Sequence, residues 1–314
     1  MGNESQQVLE ELKRVIVGKE TLIEKIWIAL IAKGHILLED IPGVGKTTLA
    51  VALSKVLGLD SKRIQFTPDV IASDVVGFTM YDKQTDKFVY KEGAVMCNLL
   101  LGDEINRTSS RTQAALLEAM QEGDVTVDSV TYELPKPFHV IATQNPLGVH
   151  GTQALPQAQL DRFLVKLSIG YPDFESQVAL LRQRQEDNPI NHTRQVLNKE
   201  KLIELQNQAQ SIYIDERILR YVTELTEETR NSELLVQGIS PRGALAICNM
   251  AKAHAFVKGK DFVTPEDVIA VFLDTCHHRI ILSTQARTAQ YEESDVLLQI
   301  IEKTPTPDMT VYSG

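Results

Sequence analysis

Apolar residues in the first half of the chain recur at two different spacings. Residues 21–33 carry them at helical spacing and are followed by Gly34, which predicts a helix that ends in a left-handed glycine. Residues 35–38 form an apolar run that is too short for a helix and suits a buried parallel strand. Helical spacing returns over residues 47–57, before Gly58. The pattern therefore predicts a helix, a strand and a second helix, in that order.

Further short apolar runs extend this alternation of strands and helices. They lie at residues 63–66, 99–101, 139–142 and 163–167. Short apolar strands separated by helical segments are typical of a parallel sheet that is covered by helices on both faces. We therefore predict an α/β fold with a five-stranded parallel sheet between helices.

Two stretches break the alternation and have the pattern of hairpins. In residues 78–93, aromatic and β-branched residues flank a polar tip, and residues 124–134 alternate apolar and polar positions around Asp128 and Ser129. Such hairpins are either plain surface connections or functional insertions. The pattern leaves both interpretations open.

The strand pattern stops after Tyr171 and Pro172. Beyond them, helical spacing runs through residues 174–186, 198–211, 215–231, 241–257 and 264–281. This change predicts an α/β core over residues 1–172 and an all-helical domain over residues 173–283. Residues 284–314 are polar and are expected to form a partly disordered C-terminal tail.

Composition and charge narrow the class of protein. The chain has 314 residues, 43% hydrophobic and 24% charged, which is enough apolar material for a folded core and excludes a disordered or disulfide-stapled chain. The net charge of −10 argues against broad binding to a phosphate backbone, and so against a stable nucleic-acid partner. Three cysteines without CxxC spacing fit a reducing compartment. With no membrane-spanning run and no signal pattern at the polar N-terminus, we expect a cytoplasmic protein without membrane insertion.

A phosphate-binding loop is predicted where the first strand meets the second helix. The stretch EDIPGVGKTT covers residues 39–48. Its glycines let backbone N–H groups point at phosphates, Lys46 suits the β- and γ-phosphates, and the hydroxyl of Thr47 suits Mg²⁺. Asp40 stands where the strict motif has its first glycine. The candidate nucleotide-binding residues are Pro42, Gly43, Val44, Gly45, Lys46, Thr47 and Thr48.

Two carboxylates follow another apolar strand. Asp103 and Glu104 come directly after residues 99–102. At the carboxyl end of a parallel strand, Asp103 is placed to face the metal of the phosphate-binding loop, and Glu104 to orient and deprotonate a water for in-line attack. Alone, such a pair is often a solvated turn. Together with the loop, it predicts a Mg²⁺-dependent nucleoside triphosphatase.

With these motifs, the chain resembles the MoxR family of AAA+ ATPases, in the clade that has an extra hairpin in the second core helix and is related to magnesium chelatase ATPase subunits. The matching stretches, in family order, are IVGKE, HILLEDIPGVGKTTLA, FTPDVIASDVVG, GDEINR, QAALLEAMQEG, VIATQNP, LPQAQLDRF and GISPRGAL. They cover most of the chain. Asp40 and Gly102 depart from the commonest pattern. The resemblance implies an AAA+ P-loop core with a helical lid domain, and ATP and Mg²⁺ as cofactors.

The resemblance also assigns roles to residues outside the phosphate-binding loop. Val17 and Gly18 match the segment that flanks adenine. Asn145 matches the sensor-1 residue, which touches the γ-phosphate or the attacking water. Arg162 matches an arginine finger that reaches the ATP of a neighbouring subunit. Arg242 matches sensor 2, and the sequence does not say whether it acts within its own subunit or on a neighbour.

In function, the resemblance implies an ATPase that forms a homo-oligomeric ring, expected to be a hexamer. Such a ring acts like a chaperone on client proteins, one of which is expected to carry a von Willebrand A domain. The hairpin over residues 78–93 is the candidate client contact, since Tyr81, Phe88 and Tyr90 are able to grip a chain or to pack on their own element. Two alternatives stay open. One is a nucleotide-gated binding switch with negligible turnover, and the other is a nucleic-acid-directed motor, which the net charge of −10 disfavours.

Overall fold

The computed structural model describes residues 3–39, 45–145, 155–186 and 189–308. The candidates Pro42, Gly43 and Val44 lie outside these ranges. The strands are β1 (Ile36–Glu39), β2 (Ser61–Gln65), β3 (Gly77–Asp82), β4 (Lys87–Glu92), β5 (Leu99–Asp103), β6 (Asp124–Val127), β7 (Val130–Glu133), β8 (His139–Gln144), β9 (Val165–Leu167), β10 (Leu235–Gln237) and β11 (Ile281–Leu282). The helices are α1 (Asn3–Val15), α2 (Glu20–Ile31), α3 (Lys46–Leu57), α4 (Ala72–Val76), α5 (Ser110–Glu122), α6 (Gln157–Leu160), α7 (Phe174–Glu186), α8 (Lys199–Gln210), α9 (Glu216–Asn231), α10 (Pro241–Val257), α11 (Pro265–Cys276), α12 (Thr284–Thr288) and α13 (Glu293–Lys303).

A five-stranded, fully parallel sheet forms the centre of the first half of the chain, which confirms the predicted fold class. The strand order is β2-β5-β8-β1-β9, so that β5, β8 and β1 are neighbours and β2 lies at an edge. β2 begins at Ser61, earlier than predicted, and its polar side chains are mostly exposed. Exposed polar residues are what an edge strand needs to avoid pairing with another chain.

Both faces of the three central strands β5, β8 and β1 are buried, and successive residues of these strands contribute to different cores. Ile36 and Leu38 of β1 belong to a core shared with α1, α2, α3 and helices of the second half of the chain. Leu37 and Leu100 belong to a second core, which includes Leu116 of α5. This change of face at each residue is what a parallel strand covered by helices on both sides requires.

Two antiparallel hairpins stand where the sequence predicts them. β3 pairs with β4, and β6 pairs with β7. The turn between β6 and β7 has positive φ at both Asp128 (49°) and Ser129 (65°), as a two-residue turn of mirror-image type requires. The two hairpins touch: the rings of Tyr90 on β4 and Tyr132 on β7 stack with their centroids 4.0 Å apart.

The chain after β9 is mostly helical, and α7 to α11 follow the predicted segments closely. The expectation that no strand occurs there is wrong in one detail, since β10 and β11 form a short antiparallel pair. Among the described residues, no helix combines the length and the apolar character that crossing a membrane requires.

The predicted polar tail from residue 284 is also wrong for residues 284–303. This segment forms α12 and α13, and α13 packs against α9 and α11. Val296, Leu297 and Ile300 are the buried face of α13. One buried face in an otherwise polar helix is enough to dock it, although it is too small a signal to stand out in the sequence.

The end of α2 differs from the prediction as well. The residue in the left-handed conformation is Lys33, with φ of 60°, and not Gly34. Position 34 requires glycine for a steric reason, because a Cβ atom there would lie 2.2 Å from Cδ2 of Leu164. Gly58, by contrast, ends α3 with φ of 60°, as predicted.

Asp267 in the first turn of α11 is a buried carboxylate that accepts hydrogen bonds from three residues. Nδ1 of His254 lies 2.7 Å from its Oδ1, and Nζ of Lys260 donates to both oxygens over 2.9 and 3.0 Å. The backbone N–H and the hydroxyl of Thr264 donate to Oδ2 over 2.8 and 2.9 Å. Burial raises the pKa of Asp267, but these hydrogen bonds outweigh burial and bring the pKa down to about 2.

We expect Asp267→Asn to lower the free energy of unfolding by about 2 kcal/mol at pH 7, since the folded-state pKa of Asp267 lies below the unfolded value of ~3.9. The stabilisation by the ionised group is complete above pH ~4 and disappears as the pH falls towards 2. Urea unfolding of both proteins at pH 7, 5 and 3 measures this. A difference in unfolding free energy that stays constant down to pH 3 would contradict the assignment.

Candidate functional site

The amino end of α3 directly follows the predicted phosphate-binding loop. Gly45 precedes the helix with φ of 96°, a left-handed conformation that glycine adopts without steric cost. Lys46 is the first helical residue and its side chain is buried, Thr47 is exposed at the helix end, and Thr48 is half-buried. Residues 40–44 lie outside the described chain. The described part thus places a lysine and a hydroxyl at a helix N-terminus, which attracts phosphate.

The carboxyl ends of β1, β8 and β5 lie side by side next to this helix end, because the three strands are parallel neighbours in the sheet. β1 ends at Glu39, which is paired in register with Gln144 at the end of β8. Nε2 of Gln144 donates to Oε1 of Glu39 over 2.7 Å, and Nζ of Lys166 on β9 lies 2.7 Å from Oε2. These contacts fix the point at which the chain enters the phosphate-binding loop.

The carboxylate of Asp103, at the end of β5, is buried and held from two sides. Nε of Arg63 on the edge strand β2 donates to its Oδ2 over 2.7 Å. The hydroxyl of Thr143 on β8 donates to Oδ1 over 3.4 Å. Arg63 itself is 54% exposed in its side chain. The two neighbouring strands therefore orient the carboxylate that the sequence assigns to Mg²⁺.

Glu104 follows in a left-handed backbone conformation, with φ of 57°. This conformation costs a non-glycine residue about 1–3 kcal/mol, and outside turns it occurs often at functional sites. Here the N–H of Glu104 donates to Oγ1 of Thr143 over 2.9 Å. The carboxylate accepts hydrogen bonds from Nη1 of Arg107 (2.7 Å) and from Nδ2 of Asn145 (3.0 Å).

The pKa of Glu104 is lower than that of an ordinary glutamate. Burial raises the pKa, but the hydrogen bonds from Arg107 and Asn145, and the positive charges of Arg107 and Lys46, outweigh burial. Glu104 is therefore ionised at neutral pH, as a group that accepts a proton from water has to be.

Asn145 is buried and only half of its amide is engaged among the described residues. Its Nδ2 donates to Glu104, while its Oδ1 has no hydrogen-bond partner there. Buried polar atoms are nearly always paired, so an orphaned acceptor beside a carboxylate indicates a place for a donor. A water at this place would donate one proton to Asn145 and one to Glu104.

The side chains at this edge fit a Mg²⁺-bound phosphate chain. Mg²⁺ takes oxygen ligands and keeps several waters, and Thr47 and Asp103 supply one hydroxyl and one carboxylate. Lys46 supplies a point charge for phosphate. The described residues contain no cluster of three or more His, Cys, Asp or Glu side chains that would cage a metal. The donor set therefore matches an ion that is held jointly by protein and nucleotide.

Val17 and Gly18 lie in the short connection between α1 and α2. Gly18 has φ of 71°, and a Cβ atom there would lie 2.0 Å from Oγ of Ser176 in α7. Both the conformation and the close approach to α7 require glycine. Gly18 lines a cavity of about 280 Å³ together with Leu22 and Leu167.

Arg162 and Arg242 lie away from this edge. Both line a groove of about 370 Å³ that also includes Gly34 and His35, the residues immediately before β1. Lys46 follows the other end of β1, so the two arginines and the lysine lie towards opposite ends of the strand. Nη1 of Arg162 donates to the carbonyl of Leu117 in α5 over 2.9 Å.

Two residues of the site, Thr143 and Arg63, were missed by sequence reasoning about motifs. Thr143 links Asp103 to the backbone of Glu104, and Arg63 pairs with Asp103. For Arg107, the sequence leaves open an interface role or an ion pair with an acid, and in the structure it pairs with Glu104 over 2.7 Å. The signal for Thr143 is its place two residues before Asn145, on the strand that the sheet puts beside β5. Arg63 has no comparable signal, because it depends on β2 being the next strand.

Comparisons with known proteins agree with this geometry. The model of an ATPase family associated with various cellular activities (AAA) matches residues 35–165, and an AAA lid domain model matches residues 227–300. The lid match includes α12 and most of α13, so that these helices belong to the matched lid region and not to a tail.

Relatives match along almost their whole length. YeaC of Bacillus subtilis (strain 168), an uncharacterised protein, is 44% identical over 96% of this chain and 94% of its own. Chaperone MoxR1 of Mycobacterium tuberculosis is 36% identical over 97% of this chain and 82% of its own. A crystal structure from Cytophaga hutchinsonii, of a protein assigned as an ATPase, superposes with a TM-score of 0.91 at 36% identity, covering 98% of this chain and 96% of that one.

We expect Thr143→Val to lower the rate of nucleotide hydrolysis and to destabilise the fold by about 1–3 kcal/mol, because it leaves the N–H of Glu104 without its acceptor. Thr143→Ser keeps the hydroxyl and is the matched control, with a hydrolysis rate close to that of the original chain. Steady-state hydrolysis and urea unfolding measure the two effects. Equal rates for the Val and Ser variants would show that the hydroxyl does not orient Glu104.

Proposed function

Because the chain belongs to the MoxR family of AAA+ ATPases, we propose that it hydrolyses ATP with Mg²⁺ and uses the cycle to remodel client proteins. The observation that carries the proposal is the hydrogen-bonded pair of Glu104 and Asn145 beside Lys46. An ionised carboxylate and an amide oxygen that has no partner among the described residues meet there, at the helix end that follows the phosphate-binding loop.

In this proposal the start of α3 binds the phosphates. Backbone N–H groups of the loop that ends at Gly45 would surround the phosphate chain, and Lys46 would neutralise its β- and γ-oxygens. Pro42, Gly43 and Val44, which lie outside the described residues, belong to this loop, and Pro42 itself has no N–H to donate. Thr47 and Asp103 would hold the Mg²⁺, which would supply positive charge to offset the charge that develops on the phosphate oxygens. Thr48 continues the helix, and Val17 and Gly18 flank the adenine.

Glu104 and Asn145 then act on the attacking water. Asn145 accepts one hydrogen bond from the water, and Glu104 accepts the proton that the water loses as its oxygen forms a bond to the γ-phosphorus. The bond between the γ-phosphorus and the β,γ-bridging oxygen breaks, and ADP leaves. Arg107 keeps the carboxylate in place and ionised before this step.

The arginines complete the site from a neighbouring subunit. Arg162 and Arg242 share one groove at the end of β1 that is remote from Lys46. From there we do not expect them to contact the ATP that is bound to their own subunit. A ring of identical subunits, which we take to be a hexamer, would bring this groove against the ATP of the next subunit. Both arginines would then act in trans and stabilise the charge of the transferring phosphoryl group.

The output of the cycle is motion against a client protein. We propose that residues 1–172 form the ATPase core, that the helical lid follows it, and that the β3–β4 hairpin contacts the client. Phe88 at its tip is 74% exposed, and Phe78 is 49% exposed. Tyr90 is half-buried in the stack with Tyr132, which makes it a packing residue and leaves Phe88 as the stronger candidate for the contact. A cytoplasmic location and a client or partner with a von Willebrand A domain complete the proposal.

We expect Glu104→Gln and Arg162→Ala each to lower ATP turnover by at least ~10²-fold, because one loses the base and the other the finger. Mixing the two inactive proteins should restore part of the turnover. In such rings, the intact site of an Arg162→Ala subunit receives the finger of a Glu104→Gln subunit. Titrating one protein into the other while recording phosphate release measures this.

The control is a mixture of Glu104→Gln with the double variant Glu104→Gln/Arg162→Ala, which has no intact site and should stay inactive. Full turnover by either single variant alone would refute the assignment of the site. Inactivity of the first mixture would refute a site shared between subunits.

We expect Phe88→Ser to weaken capture of clients by the Glu104→Gln protein in ATP by about tenfold, without changing ATP binding. A buried Phe side chain contributes about 1.5–3 kcal/mol to an interface. Val236→Ser, an equally exposed apolar residue on β10 at 72%, is the matched control. Pull-down in ATP and in ADP measures the capture. Equal capture by both variants would show that the hairpin is not part of the client-binding surface.

A further inference from the structure

Arg279, in the 3₁₀ turn His277–Arg279 after α11, is one of the most buried charged residues among those described. Only 3% of the surface of Arg279 is exposed. A buried guanidinium is costly unless its N–H groups are satisfied, and removing its partners is strongly destabilising. Where its hydrogen bonds go therefore shows which segment of the chain it is built to hold.

The hydrogen bonds of Arg279 converge on the residues on either side of Arg162. Nε donates to Oδ1 of Asp161 over 2.8 Å, Nη2 donates to the carbonyl of Phe163 over 2.7 Å, and Nη1 donates to the carbonyl of Leu164 over 3.0 Å. The remaining N–H groups are engaged by the carbonyls of Asp161 and of Thr275 in α11.

The helical half of the chain adds further contacts to the same segment. Oγ of Ser240, the residue that caps α10, donates to the second oxygen of Asp161 over 3.1 Å. A ring nitrogen of His278 lies 3.0 Å from the carbonyl of Phe163. Asp161 is therefore held between two elements of the lid, and Arg162 lies between two residues that Arg279 holds.

Arg279 also borders the groove that contains Arg162 and Arg242. It is not itself placed to bind a phosphate there. All five guanidinium N–H groups already have acceptors within the chain, and a phosphate would have to displace one of them. Arg162, in contrast, has one hydrogen-bond acceptor among the described residues, the carbonyl of Leu117, and lies in a half-buried position at the groove.

We propose that Arg279 is a positioning residue for the arginine finger: through Asp161, Phe163 and Leu164 it fixes the backbone that presents Arg162 to the neighbouring subunit. This inference rests on the proposed function, in which Arg162 acts in trans. Arg279 thereby ties the orientation of the finger to the lid, since the 3₁₀ turn that carries it continues directly from α11.

The test uses Arg279→Lys, which keeps the charge but has too few donors to hold the whole segment. We expect ATP turnover to fall by about 10- to 100-fold, the loss that a misplacement of about 1 Å causes, with nearly unchanged binding of a fluorescent ATP analogue. Asp161→Asn is the second variant, and we expect its ATP turnover to fall by a similar factor. Asp267→Asn, which weakens the lid without touching this segment, is the control for stability and should keep its turnover.

Mixing experiments separate a misplaced finger from a damaged fold. Arg279→Lys subunits should regain turnover with Glu104→Gln subunits, which supply a good finger, and gain none with Arg162→Ala subunits. Rescue by Arg162→Ala would place the defect in the variant's own ATP site and overturn the inference. Rescue by neither partner would show a merely structural role and overturn it as well.

The mixture of Arg162→Ala with Glu104→Gln runs beside these as the reference. If this reference pair regains turnover while the Arg279→Lys pair does not, the inference about Arg279 fails and the shared site stands. If the reference pair itself stays inactive, the shared site fails, and the inference fails with it.

Discussion

The parallel pairing of β1, β8 and β5 is the constraint on which the site depends. In a parallel sheet all strands end at the same edge, so residues that are far apart in sequence are brought together without any special packing. Glu104 and Asn145 are 41 positions apart and yet share a hydrogen bond of 3.0 Å. Because the strands are apolar and buried on both faces, their polar residues collect at the ends. The chemistry of the protein is a consequence of where the hydrophobic runs stop.

Much of the fold could be predicted from the sequence, because the sheet has a strong periodic signal. The short apolar runs predicted the five parallel strands, and the polar turns at Asp128 and Ser129 predicted a hairpin. The helices α1 and α13 were missed or misread. Their buried faces, Val8 and Leu12 in one and Val296 and Ile300 in the other, are set in polar segments, and only the partner helices reveal that they are buried.

The residues of the site likewise fall into some that the sequence predicts and some that it does not. Lys46, Thr47, Asp103 and Glu104 lie in contiguous motifs, and local sequence is enough to predict them. The residues that orient them are not in those motifs: Arg63 and Thr143 reach Asp103 across two different neighbouring strands. Which strand lies beside which is decided by the packing of the whole core, so single-sequence reasoning has no access to such contacts. The same holds for Arg279, whose target segment lies more than a hundred residues earlier.

The stack of Tyr90 on Tyr132 joins two hairpins that come from different parts of the chain. β6 follows α5 after a single residue, and α5 itself begins shortly after Glu104 and Arg107. An aromatic pair contributes about 0.5–1.5 kcal/mol beyond its buried area, which favours joint movement over independent movement. The stack therefore couples the two hairpins, so that a tilt of α5 would be passed through β6 and β7 to β3 and β4.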